Sequence, residues 1–307
     1  MVTENRTNDG TAPVDTGWHT VEVDGLRVAY EVRGSGPIVV AHSGGPGSDA
    51  AYLRMPEVER TVTVVYVDPV GTGRSDRIPD GDYSHAAYAR IAAGLIRALP
   101  GGRAVFLGHS HGGMVALQLA LDHPEVLDGV IVYDGLATNV DLVSRATARV
   151  DAFLRRFPGD PVAAEVRAAW DDAVAQEESD PASRSEAEAT SIARRLKPAY
   201  VADFRARPDV LQQLLDDDRH HEDPNRQPGG AWDVRPRLPE VRVPVSVFVG
   251  KHDFICGPVA AAEIWQDVPG AELVTFAASG HFAHREEPGA FAEAVERFVA
   301  RVAVPSR

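Results

Sequence analysis

The sequence predicts an α/β fold with a mostly parallel central sheet, helices on both of its faces, and an all-helical lid inserted after the sixth strand. Three observations lead there. Short apolar runs alternate with helical patterns along most of the chain, the signature of strand–helix–strand units. Those runs are unbroken rather than alternating, as in strands buried on both faces. The alternation stops after Asp134 and resumes only near residue 236.

The elements follow in order. Trp18–Val23 and Leu26–Val32 flank Asp24-Gly25, a two-residue hairpin signal. Ile38–Ala41, Val62–Val67, Ala104–Leu107, Val130–Tyr133, Val245–Val249 and Leu273–Phe276 are short β-branched or apolar runs bounded by Gly, Pro or Asp. Helical patterns lie between most of them, at Tyr83–Leu99, Gly113–Asp122, Val259–Asp267 and Pro288–Val302. Within the insertion, Val143, Val150, Phe153 and Phe157 share one helical face, and Val162, Val166, Trp170 and Val174 another. Val210, Leu211, Leu214 and Leu215 mark a further helix, while Pro158-Gly159-Asp160-Pro161 and Lys197-Pro198 supply breaks. Asp216 to Pro228, charged and rich in His and Pro, reads as a mobile loop. The organisation expected is a disordered polar tail over 1–17, a core over 18–136 and 236–307, and a helical lid over 137–235. No internal repeat is apparent.

Composition narrows the function. The chain has 307 residues, 44% of them hydrophobic and 25% charged, as in an ordinary globular enzyme. A formal net charge of −14 repels phosphate backbones and anionic membrane surfaces, so neither nucleic acid nor a membrane is expected as a partner. One cysteine, Cys256, rules out an internal disulfide and suits a reducing, cytoplasmic compartment. Residues 1–17 have neither the basic start of a signal peptide nor an apolar stretch. Neither metal-ligand spacing nor a cofactor fingerprint is present, and His220-His221 reads as a solvated loop pair.

The chemistry centres on Gly108-His109-Ser110-His111-Gly112, set between an apolar strand and an Ala/Leu-rich helix. In that context Gly-x-Ser-x-Gly forms a nucleophile elbow, a turn tight enough to strain the serine. A serine hydroxyl needs a general base, and the base needs an orienting acid. Loops at the carboxyl ends of parallel strands converge on one crevice, so both should follow later strands. Asp253 follows Val245–Val249 and His281 follows Leu273–Phe276. Asp134, at another strand end, is the rival acid, and His284 the rival base. For the oxyanion, the elbow offers the backbone N–H of His111. The loop His42-Ser43-Gly44-Gly45-Pro46-Gly47 offers that of Gly45, with Gly44 second. His111 is expected to line the pocket with its side chain or to be packed there.

Together with Asp68-Pro69-Val70-Gly71-Thr72-Gly73-Arg74-Ser75, Gly250-Lys251-His252-Asp253 and Gly280-His281, these blocks resemble the α/β-hydrolase superfamily. Within it they resemble the proline iminopeptidase-like serine peptidases. The order Ser110, Asp253, His281 is that superfamily's order. The resemblance implies the α/β-hydrolase fold and covers most of 18–136 and 236–307. Three departures bear on substrate: Ser43 stands in place of the family histidine, Pro69-Val70 in place of Gln-Arg, and His111 where tryptophan is frequent. The resemblance also implies acidic lid residues that hold a substrate amino group, for which Glu177, Glu178 and the Asp216–Asp218 run are candidates. Ser43 and Gly44 join them as candidate substrate-binding residues. The first functional reading is a serine aminopeptidase acting on short peptides or related small amides. The second is a hydrolase of small esters, lactones or amides, and the third a non-catalytic ligand-binding protein of the same fold.

Overall fold

The computed structural model describes residues 12–178, 186–217, 219, 221 and 230–302. The chain opens with a hairpin, β1 (Gly17–Val23) and β2 (Leu26–Gly34), then β3 (Ile38–His42) and β4 (Thr63–Val67). Next come α1 (His85–Ala98), β5 (Ala104–His109), α2 (His111–Asp122) and β6 (Leu127–Tyr133). The insertion holds α3 (Leu142–Arg156), α4 (Pro161–Glu178), α5 (Glu186–Tyr200) and α6 (Pro208–Asp216). The core resumes with β7 (Val245–Gly250), α7 (Gly257–Asp267), β8 (Glu272–Phe276), α8 (Ala283–Glu286) and α9 (Pro288–Val302).

The eight strands form one sheet in the order β1-β2-β4-β3-β5-β6-β7-β8. The pairs β1–β2 and β2–β4 are antiparallel, and every later pair is parallel. The central strands are largely apolar on both faces because successive side chains enter two different cores. Val40, Val65, Phe106, Val130 and Val132 pack toward α1 and α2. Val39, Val64, Val105, Leu107 and Ile131 pack toward α9, which offers Phe291, Val295 and Phe298. The carboxyl ends of β3, β5, β7 and β8 therefore point the same way, and the chemistry-bearing loops leave from there.

The lid has its own apolar cluster. Phe153, Phe157, Val166, Trp170 and Phe204 meet there, and Phe254, next to Asp253 in the core, joins them. Asp160 caps α4 by accepting the N–H groups of Val162 and Ala163, and Pro161 opens that helix where its missing N–H costs nothing.

Several expectations are corrected. Residues 12–16 are not a loose tail: the Ala12 N–H donates to Ala98 O and the Tyr30 hydroxyl to Pro13 O, fixing this stretch against α1 and β2. Residues 1–11 lie outside the described residues. The buried face of α4 is Ala163, Val166, Ala169 and Trp170, while Val162 is 40% exposed, because the helix meets α3 one residue further round. Pro198 does not end α5, which runs to Tyr200; so near the end, only the loss of one hydrogen bond is felt. Of the Asp216–Pro228 stretch, Asp216, Asp217, Arg219 and His221 are described. His221 is partly exposed but tied down, its N–H donating to Gly47 O and its ring nitrogen lying 3.2 Å from Asp49, while His220 lies outside the described residues. No helix among the described residues is long and apolar enough to cross a membrane.

Candidate active site

Ser110 stands between β5 and α2 with φ 56° and ψ −117°, a conformation that L-residues avoid. Its neighbours force it there. Its N–H donates to Tyr133 O on β6 at 2.9 Å, and its carbonyl accepts the Gly113 N–H at 2.8 Å. A Cβ on Gly108 would strike the Gly112 carbonyl, and one on Gly112 the His42 carbonyl, so strand and helix close this tightly only with glycine at both. His111 is the first residue of α2, where a helix leaves its N–H groups without internal acceptors.

Asp253 follows β7 and is buried. Its carboxylate accepts the N–H groups of Ile255 (2.9 Å), Cys256 (3.2 Å) and Gly257 (3.0 Å). His281 Nδ1 lies 3.1 Å from Asp253 Oδ1, approaching off the hydrogen-bond axis. Burial alone would push the Asp253 carboxyl up; the charge and hydrogen bond of His281 and the N–H donors outweigh it and hold it below the usual range. His281 is itself held by the lid, since its N–H donates to Tyr200 O at 2.8 Å. A Cβ on Gly280 would run into that same Tyr200 carbonyl.

The rival base is otherwise engaged. His284 uses Nδ1 toward the Tyr133 hydroxyl and Nε2 toward Tyr52 O, and burial lowers it to about 3, so it stays neutral. His109 and Tyr52 form a relay beneath the nucleophile. The Gly44 N–H donates to the Tyr52 hydroxyl (2.6 Å), which donates to His109 Nδ1 (2.7 Å). His109 Nε2–H then donates to His281 O at 2.8 Å, the tautomer being fixed because a carbonyl can only accept. The relay ties the Gly44 loop, the nucleophile strand and the base loop together. Gly44 therefore spends its N–H inside the protein.

Ser110 and His281 face one cavity of about 300 Å³. The core contributes Gly45, Ser48, Tyr52, Ile255 and Phe282 to its wall, and the insertion contributes Leu142, Lys197, Tyr200, Leu214, Asp217 and Arg219. Asp217 is paired with Arg285 at 2.7 Å. The structure thus brings Ser110, His281 and Gly45 to one cavity, with Asp253 behind the histidine.

Other expected residues lie elsewhere. Ser43 is fully buried and donates to Ser48 O at 2.7 Å, bracing its loop instead of facing substrate. The His111 ring packs against His85 and Tyr88, 4.9 and 5.1 Å between centroids, and does not line the cavity. Glu177 and Glu178 close α4, but their side chains lie outside the described residues, as does Asp218. Of the acidic lid candidates, Asp217 is the one that reaches the cavity wall among the described residues. Tyr52, Lys197, Tyr200 and Arg219 were not foreseen. Their helical or turn spacing carries no sign of which face meets the crevice.

Two buried groups of potential metal ligands occur among the described residues: His109, Asp134 and His281, and Asp253, Cys256 and His281. His109 has both ring nitrogens in hydrogen bonds, and Asp253 accepts three backbone N–H groups. These donor sets suit proton handling, not an ion.

Comparison with known proteins agrees with this architecture. The alpha/beta hydrolase fold family matches residues 36–288. A proline iminopeptidase from Saccharolobus solfataricus is 27% identical over 89% of this chain and 88% of its own. A 2-hydroxymuconate semialdehyde hydrolase from Pseudomonas putida is 26% identical over 90% and 92%. The solved structure of Est816, described as an N-acyl homoserine lactone degrading enzyme, superposes with a TM-score of 0.59 at 26% identity, covering 91% of this chain and 99% of that one. With its sheet, its elbow and this family match, the chain belongs to the α/β-hydrolase fold family and is a hydrolase with a proline iminopeptidase-like relative.

Proposed function

We propose that this hydrolase cleaves small esters, lactones or amides by two-step acyl transfer at Ser110. The observation that carries the reading is the strained Ser110 at the head of α2, sharing a cavity with His281, whose other ring nitrogen is 3.1 Å from the buried Asp253. In the first step Ser110 Oγ attacks the carbonyl carbon while His281 takes the hydroxyl proton, and Asp253 steadies the imidazolium. The N–H groups of Gly45 and His111 receive the oxyanion, since the Gly44 N–H is committed to Tyr52. His281 then gives its proton to the leaving group, and a water, activated by the same base, releases the acid and restores Ser110.

Cavity size and charge support a small, non-cationic substrate. Small-molecule sites run from about 300 to about 1,000 Å³, and this one is at the lower end. Lys197 and Arg219 bring positive charge to its wall, and Asp217 is neutralised by Arg285. A substrate ammonium group would meet repulsion there. A second reading, removal of an N-terminal residue from short peptides, is favoured by the proline iminopeptidase relative. A cytoplasmic location belongs to the same proposal, supported by one buried free cysteine.

A panel of p-nitrophenyl esters, lactones and aminoacyl-naphthylamides, run beside fluorophosphonate labelling, separates the readings. Turnover of neutral or anionic esters and lactones well above the naphthylamides is expected. Preference for the naphthylamides would install the aminopeptidase reading, and failure of the probe to label Ser110 would remove both.

A further inference from the structure

Asp134 is a buried carboxyl group for which the acyl-transfer steps have no use. It ends β6 in a left-handed conformation (φ 44°), held by its own N–H to Phe248 O at 2.8 Å. Oδ1 accepts the Gly250 N–H at 3.0 Å. Oδ2 is fully buried and has no donor directed at it among the described residues. The carboxyl lies beside that of Asp253: it accepts the N–H of Gly250, whose carbonyl accepts the Asp253 N–H, and an oxygen of each carboxyl is within 4.8 Å of a His281 ring nitrogen, with His109 equally near Asp134.

Two carboxylates in contact in a dry site do not both ionise, because mutual repulsion and lost hydration act together. One must keep a proton. Asp253 has three backbone N–H donors and His281, whereas Asp134 has one backbone donor. The charge therefore settles on Asp253 and the proton on Asp134. Protonation also turns the donorless Oδ2 into an O–H that points its hydrogen at a carboxylate, a short, charge-assisted bond.

We propose that Asp134 is a positioning residue for the reaction: a neutral carboxylic acid whose O–H donates to the Asp253 carboxylate and holds it in register with His281. The inference rests on the proposed role of Asp253 as the acid that orients the base. The surroundings favour this state. Burial, followed by the charge of Asp253, drives the Asp134 carboxyl well above the usual carboxylate range. The other groups facing it either add to that push or are neutral: Glu286 adds to it, burial keeps His109 uncharged, and burial keeps the Tyr133 hydroxyl and the Cys256 thiol protonated. The Arg149 guanidinium bonds to the Phe254 and Ile255 carbonyls, so its charge serves Asp253.

The off-axis approach of His281 gives this bond its purpose. The three backbone donors hold Asp253 from the acid loop alone; an O–H from the residue after β6 adds a hold from a second strand. A hydrogen bond donated to a carboxylate also lowers its proton affinity, so the Asp253 charge persists further into acid.

The test pairs an infrared measurement with two substitutions. The difference spectrum between wild type and Asp134→Asn at neutral pH should show the carbonyl stretch of a protonated carboxyl group, lost in the variant. Asp134→Asn keeps an N–H donor and should lower kcat/KM less than about tenfold, whereas Asp134→Ala should lower it about 100-fold, as for a lost charge-assisted bond. The acid limb of the Asp134→Ala pH profile should move to higher pH, and Asn should largely restore it. Absence of the infrared band, an unmoved acid limb in Asp134→Ala, or an Asn variant as impaired as Asp253→Asn would each overturn the proposal. If Asp134→Ala does not fold, the spectrum of the Asn variant decides alone. A wild type that fluorophosphonate labels but that lacks the band sinks this inference only; a wild type that is not labelled sinks the hydrolase mechanism instead.

Discussion

At the carboxyl edge of the sheet, Ser110, Asp253 and His281 are fixed by backbone hydrogen bonds from β6, the acid loop and the lid, and nearly every polar atom is buried. The insertion is held differently. Its helices meet through an apolar cluster of Phe153, Phe157, Val166, Trp170 and Phe204, and over it lie exposed pairs such as Arg195 with Asp172 and Glu165. The first arrangement specifies positions to a fraction of an ångström, because directional donors tolerate little movement. The second specifies volume and leaves the charged surface free to vary. Precision is concentrated at the proposed reaction centre, and tolerance in the insertion that walls the cavity.

The sharpest way to break this contrast is at the nucleophile. Ser110→Ala should cut ester turnover by about 10⁴-fold or more while thermal unfolding stays within a few degrees of wild type. Retained turnover would show that the edge of the sheet is not the reaction centre. In the lid, Phe153→Ala should cost about 3–5 kcal/mol, read from denaturant unfolding, since Phe153 is buried among aromatic neighbours. A loss under 1 kcal/mol would mean the cluster does not hold the lid.

The joint between the regions gives a pH-dependent test. Glu286 accepts the Ala202 N–H from just after α5 in the insertion and the Gly280 N–H next to His281. Burial pushes its carboxyl up to about 7, against the pull of those two donors. The folded chain keeps this proton between the usual carboxylate range and about 7, where the unfolded chain has lost it. The folded state therefore binds more protons in that window, and the stabilising contribution present at low pH is lost as pH rises through about 7. Against Glu286→Gln, which cannot titrate, the melting temperature of wild type should fall from pH 5 to pH 8; a pH-independent difference would refute the assignment. The smallest effect belongs to the surface: Arg195→Ala should leave the melting temperature essentially unchanged, since exposed ion pairs are screened by water, and a clear loss would mean that exposed charges carry the lid after all.

The sequence made the reaction centre legible because its parts are local. A strand, a tight turn and a helix announce Ser110 within ten residues, and Asp253 and His281 each follow their own apolar run. The support around them was not legible. Tyr52 sits in a short 3-10 turn, 57 residues from the His109 it serves, and His109 in turn bonds across 172 residues to the His281 carbonyl. Asp134 was visible as a strand-end carboxyl, yet its role depends on having Asp253 beside it, which only the β6–β7 pairing supplies. The substrate wall was least visible. Helical periodicity marks Leu214 as inward-facing without saying whether inward means a core or a crevice.

The bond from the His281 N–H to the Tyr200 carbonyl has a consequence for how such a protein can change. On the proposed mechanism, the insertion that lines the cavity also supplies the shelf on which His281 rests, and its apolar cluster takes in Phe254 next to Asp253 as well. Specificity and reactivity are thus inherited as one parcel. A lid grafted from a relative would bring its own alignment of the base with it, so new substrates are reached more safely by altering single wall residues such as Lys197 or Leu214 than by exchanging the whole segment.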